Sequence, residues 1–214
     1  MQMNKPLIIA HRGDHTAGRL ENSLPAFASA IQLGADGLEV DVQLYDGRLI
    51  LKHDIDDEMP PVVDDFASFL ALVKEKNYQG LLLIELKGKQ GATELYREWQ
   101  AAEVDAPVML QSFQVSAVET WRQLDATIPL GLLQYRPNRI SRRLFHSGVI
   151  QNNNLDYRYL PFVMMRARKA ATYWWTPTKA WALKLMIRGR VAGVITDDVR
   201  LAQQLRDRNG KSHG

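Results

Sequence analysis

One feature constrains this 214-residue chain above the rest: eight short apolar or β-branched runs, each followed by a stretch of helical periodicity. The first half pairs Pro6 to His11 with Leu24 to Leu33, Gly37 to Leu44 with Asp64 to Lys76, and Leu81 to Leu86 with Thr93 to Glu103. Val108 to Phe113 then precedes Ser116 to Ala126, and Ile128 to Gln134 precedes Ser141 to His146. Val149 to Asn152 precedes Leu160 to Lys169, Ala171 to Trp175 precedes Lys179 to Arg188, and Val191 to Thr196 precedes Val199 to Arg208. Strands that read as nearly continuous apolar runs are buried on both faces. Eight βα units of that kind predict an α/β fold, a (β/α)8 TIM barrel with helices outside. A doubly wound open sheet is the alternative, but no Gly-x-Gly-x-x-Gly follows any strand.

No linker, charge block or repeat divides the sequence, so residues 1–214 are expected to form a single compact domain without a sizeable insertion. A chain this long buries roughly 70% of the surface it exposes when unfolded, enough for a core without staples. It has no cysteine, which excludes thiol nucleophiles, thiolate zinc and iron–sulfur clusters. No apolar run approaches the ~20 residues of a membrane-spanning helix, and a cytoplasmic location is the expectation. The net charge of +3 conceals two poles. Residues 1–135 hold 11 Lys/Arg against 20 Asp/Glu, whereas residues 136–214 hold 16 against 4.

Barrel enzymes carry their working groups at the carboxyl ends of strands, and polar residues collect there. The first strand ends in His11-Arg12-Gly13, the second carries Glu39-Val40-Asp41, and the third ends in Glu85-Leu86-Lys87. Side chains alternate faces along a strand, so Glu39 and Asp41 point the same way, as do Glu85 and Lys87. Three converging carboxylates repel unless neutralised, and an all-oxygen set of Glu39, Asp41 and Glu85 suits a hard divalent cation, Mg²⁺ or Ca²⁺. An interior ion-pair network with Arg12 and Lys87 is the competing reading of any one pair. The coincidence across three strands favours the cation.

After the second strand, Tyr45-Asp46-Gly47-Arg48 and the run Leu49 to His53 read as a hairpin return. A three-residue loop, with Gly47 left-handed, sets Leu44 against Arg48 and brings His53 opposite Glu39; that register is the expectation. His11 and His53 would then approach one substrate from different strands as base and acid. His15 lies in a loop nearby, and for it, as for His146 and His213, an ordinary polar role is expected.

The segment with His11-Arg12-Gly13, Glu21-Asn22-Ser23, Ala26-Phe27, Gly34-Ala35-Asp36, Glu39-Val40-Asp41, Asp46-Gly47 and His53-Asp54 resembles the glycerophosphodiester phosphodiesterase family. Glu85-Leu86-Lys87, Gln111-Ser112-Phe113, Trp175-Thr176 and Val194-Ile195-Thr196-Asp197 extend the resemblance. It implies a barrel enzyme that hydrolyses glycerophosphodiesters to an alcohol and glycerol 3-phosphate with a divalent cation. By the same resemblance Glu39, Asp41 and Glu85 are metal ligands, His11 the general base, His53 the general acid, and Arg12 and Lys87 phosphate contacts. Glu21, beside Asn22, and Trp175 fall on the substrate side. The sequence departs from the family pattern in Leu20, where a proline is usual, in Pro177-Thr178, and in a short stretch from Asp54 to Gly80 where a sizeable insertion is common.

The implied partner is a small-molecule glycerophosphodiester, with no nucleic acid and no obligate protein. Two other readings compete. One is a lysophospholipase D or sphingomyelinase D type of lipid phosphodiesterase, making weak contact with a membrane surface through Arg139, Arg142, Arg143 and Phe145, or through Arg166, Arg168, Lys169 and Tyr173 to Trp175. The other is a non-catalytic module that binds phosphate or nucleic acid through its basic carboxyl-terminal third. It leaves the acid–histidine constellation without a purpose.

Overall fold

In a computed structural model, which describes residues 5–54, 63–136, 138–159, 172–188 and 191–211, strand β1 (Leu7–His11) pairs in parallel with both β2 (Gly37–Tyr45) and β9 (Gly193–Thr196). That double pairing closes the sheet. Between β2 and β9 the parallel order runs through β4 (Leu81–Leu86), β5 (Val108–Ser112), β6 (Leu130–Gln134), β7 (Asn152–Asp156) and β8 (Tyr173–Trp175). The short strand β3 (Arg48–Leu51) hangs antiparallel on the far part of β2 and lies outside the ring. The expected eight-stranded parallel barrel is therefore the fold.

Helices α1 (Leu24–Gln32), α2 (Phe66–Glu75), α3 (Ala92–Ala102), α4 (Val115–Leu124), α5 (Arg139–His146), α6 (Ala180–Arg188) and α7 (Val199–Lys211) surround it. Their starts are written in the sequence. Ser23 caps α1, accepting from the Ala26 amide, and Pro25 occupies its first turn; Asp65 caps α2 by accepting from Ser68 N at 2.9 Å. Asn138 and Ser141 form a reciprocal capping box on α5. The helix expected over Leu160 to Lys169, with Arg166, Arg168 and Lys169, lies outside the described residues, as does His213.

Two hydrophobic cores result from the strand period of two. Outward side chains such as Ile8, Ala10, Leu38, Val40, Leu82, Ile84 and Leu110 pack with Phe27, Phe69, Trp121 and other helix residues in a large outer core. Inward side chains Ile9, Leu83, Met109, Tyr173 and Ile195 form a separate plug inside the barrel. Each of these large apolar side chains contributes roughly 1.5–3 kcal/mol on burial, so the plug fixes the barrel's interior as a solid floor. Two residues further along the same strands come His11, Glu85, Gln111, Trp175 and Asp197. The alternation that seats the plug thus aims those five toward the open end.

One strand differs from its sequence expectation. β7 is Asn152–Asp156, not Val149 to Asn152, because its inward position Asn154 is satisfied within the barrel. Asn-Asn-Asn reads as a turn from sequence. Here Asn154 Nδ2 donates to Gln111 Oε1 at 2.6 Å, and Gly131 between them leaves the room, since a Cβ there would sit 2.7 Å from Asn154 Nδ2.

Candidate active site

The turn after β1 is built on two left-handed residues, Arg12 at φ 55° and Gly13 at φ 80°. The turn brings the Arg12 guanidinium back over the barrel, where Nε lies 2.9 Å from Asp41 Oδ2, while its amide donates to Glu39 Oε2 at 3.1 Å. A Cβ on Gly13 would come within 2.7 Å of the Ala26 backbone. Gly13→Ala is therefore expected to destabilise the protein by roughly 2 kcal/mol or more, from the combined strain and clash. Urea unfolding measures it, and an unchanged midpoint would show that the turn relaxes freely.

Glu39, Asp41 and Glu85 are all buried, and each offers an oxygen within 4.8 Å of the others. Asp41 is held hardest. Asn22, itself left-handed at φ 53°, grips it twice, donating from Nδ2 to Asp41 Oδ2 at 3.0 Å and accepting from the Asp41 amide at 3.1 Å. Lys87 Nζ stands 2.7 Å from Glu85 Oε1 and 3.3 Å from Asp41 Oδ1. Burial opposes ionisation of Asp41, but Lys87 and Arg12 outweigh it and hold the carboxyl below its usual range. Glu85 goes the other way, driven by burial and by Asp41 up to about 8. Burial, Asp41 and Glu85 likewise push Glu39 well above the ordinary carboxylate range.

These shifts describe a site with more negative charge than its own cations neutralise. Asp41 Oδ1 and Glu85 Oε1 are buried without an aligned hydrogen bond, although Lys87 is near both. Carboxylate oxygens so placed fit a hard divalent cation, and the donor set contains nothing softer. Glu39, Asp41 and Glu85 are the residues that would hold it.

A cavity of about 300 Å³ opens beside the acids, lined by His11, Arg12, Glu39, His53, Glu85, Lys87, Gln111, Phe113, Leu133, Tyr135, Trp175, Thr176 and Ile195. His11 Nδ1 lies 2.7 Å from Asp197 Oδ1, and His15 Nε2 approaches the same oxygen at 3.3 Å. Asp197 is buried enough to resist ionisation, yet its bonds to His11 and His15 lower its pKa. His53 Nδ1 stands 2.9 Å from Asp54 Oδ2 on the opposite side. Phe113, Tyr135 and Trp175 form a triangle with ring centres 5.4–5.6 Å apart, Trp175 edge-to-face with each of the other two and Phe113 tilted against Tyr135. Lys87 Nζ sits 5.9 Å from the Phe113 ring, on the side of that triangle facing the acids.

The hairpin register differs from expectation, and the difference has a physical cause. Tyr45 pairs with Arg48, so Asp46-Gly47 is a two-residue loop with both residues left-handed, at φ 45° and 74°. Aspartate tolerates that conformation, which makes the type I′ turn available. Continued further, this ladder would set Asp54 rather than His53 against Glu39. It stops at Leu51, where Gln43 Nε2 donates to both the Lys52 and His53 carbonyls at 2.8 Å, and the chain turns across the mouth. His53 reaches the cavity by that bend.

Residues 11–94 match the model of the glycerophosphoryl diester phosphodiesterase family. Through that segment the chain is similar to the glycerophosphodiester phosphodiesterase family. A glycerophosphodiester phosphodiesterase from Caldanaerobacter subterraneus subsp. tengcongensis is 55% identical over 51 residues, 23% of this chain and 21% of the relative. The chain thus spans about a fifth of that curated relative's length. A solved glycerophosphodiester phosphodiesterase from Parabacteroides distasonis superimposes with a TM-score of 0.85 at 20% identity, covering 97% of this chain and 99% of that one. An Oleispira antarctica phosphodiesterase, solved with its product sn-glycerol-3-phosphate, superimposes with a TM-score of 0.79 at 20% identity, over 95% and 97% of the two chains.

In this structure His11, His53, Arg12, Lys87, Glu39, Glu85 and Trp175 share one cavity, with Asp41 directly behind it. Glu21 is not among its walls. It remains half-exposed, with its Oε1 2.8 Å from the Arg12 guanidinium. Sequence reasoning placed Asp197 and Gln111 in motifs that carry the resemblance but gave them no role, passed over Asn154, and treated His15 as an ordinary polar residue although it shares Asp197 with His11. The signal available for Asp197 and Gln111 was their position two residues after a plug residue on an inward face.

Proposed function

We propose that this protein hydrolyses glycerophosphodiesters to an alcohol and glycerol 3-phosphate, with a divalent cation and two histidines. The supporting observation is the convergence of three buried carboxylates, two cationic side chains and two imidazoles on one cavity. The product held by the Oleispira antarctica structure accords with this substrate class. Glu39, Asp41 and Glu85 would hold the cation, which would supply Lewis-acid polarisation of a phosphate oxygen.

The chain's own residues supply the remainder. Arg12 and Lys87 face the cavity and stabilise negative charge on the phosphate oxygens in the transition state. Burial alone would weaken both bases, but Asp41 and Glu39 beside Arg12, and Glu85 and Asp41 beside Lys87, keep them protonated. Asp197 accepts the Nδ1 proton of His11 and leaves Nε2 free to take a proton from the attacking oxygen. Asp54 orients His53 in the same manner from the other side, so that its Nε2 delivers a proton to the departing alkoxide. No covalent nucleophile is needed.

The test is purified protein with glycerophosphocholine, glycerophosphoethanolamine, glycerophosphoglycerol and lysophospholipids under Mg²⁺, Ca²⁺, Mn²⁺ or chelator. Release of glycerol 3-phosphate from at least one glycerophosphodiester, abolished by chelation and restored by the ion, is the expected result. Cleavage of lysophospholipids alone would move the reading to the lipid phosphodiesterases. Activity that survives exhaustive chelation would reject the cation's part.

A further inference from the structure

Gln111 is fully buried, lies one strand beyond Glu85 in register, and lines the cavity, yet its Nε2 has no hydrogen-bond partner among the described residues. A buried amide N–H₂ left unpaired is costly, so its persistence calls for a ligand. Which end of the amide is left unpaired is settled by a chain of bonds that begins at the backbone. The Tyr173 amide can only donate, and it donates to Asn154 Oδ1 at 3.4 Å. Asn154 must then present Nδ2 to Gln111, whose Oε1 accepts at 2.6 Å. Gln111 Nε2 is therefore the end left without a partner, in a residue that lines the cavity.

Asn154 does more than fix that amide. Its carbonyl accepts the indole N–H of Trp175 at 3.0 Å, so one buried residue orients two neighbouring pieces of the cavity wall. On the side away from Glu85 the wall around them is uncharged: Phe113, Leu133, Tyr135, Trp175 and Ile195. The phosphate already has Arg12 and Lys87 on the other side, and a neutral donor among aromatic and aliphatic groups matches a neutral oxygen instead.

We propose that Gln111 is a specificity-determining residue whose Nε2 donates to a hydroxyl of the substrate's glycerol moiety, and that Asn154 is the positioning residue that holds the amide in that orientation. The inference rests on the phosphodiesterase reading and names the part of the substrate that the far wall recognises. A site built to bond a hydroxyl discriminates strongly against the analogue that lacks it, because the donor is then stranded.

The experiment compares inhibition by sn-glycerol 3-phosphate and by 1-propyl phosphate, which carries the same phosphate and no hydroxyl. Glycerophosphodiester turnover in Mg²⁺ is the assay. Wild-type protein is expected to bind glycerol 3-phosphate at least about tenfold more tightly than propyl phosphate. Gln111→Met should bring that ratio close to one by weakening glycerol 3-phosphate alone. Asn154→Leu should erode the ratio in the same way, with no further loss in the double variant; if it does not fold, Gln111→Met decides alone. Equal weakening of both inhibitors, or a fall in Mg²⁺ affinity, would show that Gln111 supports Glu85 instead and would overturn the proposal. An unchanged ratio would overturn it as well. A wild-type protein with no turnover and no affinity for either compound would signal failure of the phosphodiesterase reading itself, which the inference would share.

Discussion

Replacing His11 with Ala is expected to lower glycerophosphodiester turnover by roughly 10²–10⁴-fold, the range a positioned general base contributes. The expectation follows from a pair of contacts. Asp197 Oδ1 sits 2.7 Å from Nδ1, and the ring lines the cavity with its other nitrogen available to the reacting atoms. His11 stands at the end of β1, two residues beyond Ile9, and removing its ring leaves the plug intact. The loss should therefore appear in kcat while the thermal midpoint stays close to that of the wild type.

Asp197→Asn separates positioning from proton transfer. It is expected to fall between wild type and His11→Ala, because the imidazole loses the carboxylate that fixes its tautomer. Added imidazole should partly rescue His11→Ala and leave Asp197→Asn unaffected. Wild-type turnover in His11→Ala would demote that histidine to a packing residue and remove the base from the scheme.

The sequence showed the barrel clearly and the far side of its site poorly, for one reason. β1, β2 and β4 announce themselves because apolar runs are interrupted by residues that are costly to bury, His11, Glu39, Asp41 and Glu85, and the interruption itself marks the inward face. β7 breaks that rule. Its Asn-Asn-Asn has no apolar run to interrupt, and its place as a barrel strand depends on the bond from Asn154 to Gln111, 43 residues away in the chain. Long-range partners of that kind also hid the role of Asp197, which meets His11 from 186 residues away. The β2–β3 loop failed differently. Two turn types were compatible with Tyr-Asp-Gly-Arg, and the choice depended on whether Asp46 adopts the left-handed conformation, which sequence permits without requiring.

Glu39→Gln should produce opposite changes in activity and stability. Glu39 has no side-chain cation at ion-pair distance among the described residues; its described hydrogen bond comes from the Arg12 amide. Burial and the charges of Asp41 and Glu85 raise its pKa, which means that the folded protein without a cation is strained by its ionised form. The sign follows from proton linkage. A carboxyl whose folded pKa lies above its unfolded value contributes full stability below the unfolded pKa and loses it as pH rises through the folded pKa. For Glu85 that window runs from about 4.5 to about 8, and Glu39 acts in the same direction.

Wild-type protein in chelator should accordingly lose stability between those pH values, by an amount on the order of a few kcal/mol. Glu39→Gln should flatten the decline and raise stability at pH 8 in chelator by roughly 1–3 kcal/mol, while lowering Mg²⁺-supported turnover by about 10²-fold or more. Thermal unfolding of both proteins across that pH range, with chelator and then with Mg²⁺, reads the trade directly. Adding Mg²⁺ should restore the wild type at pH 8 and do far less for the variant. If Glu39→Gln is instead less stable than wild type in chelator, or retains full activity, then the three acids are a structural network already balanced by Arg12 and Lys87.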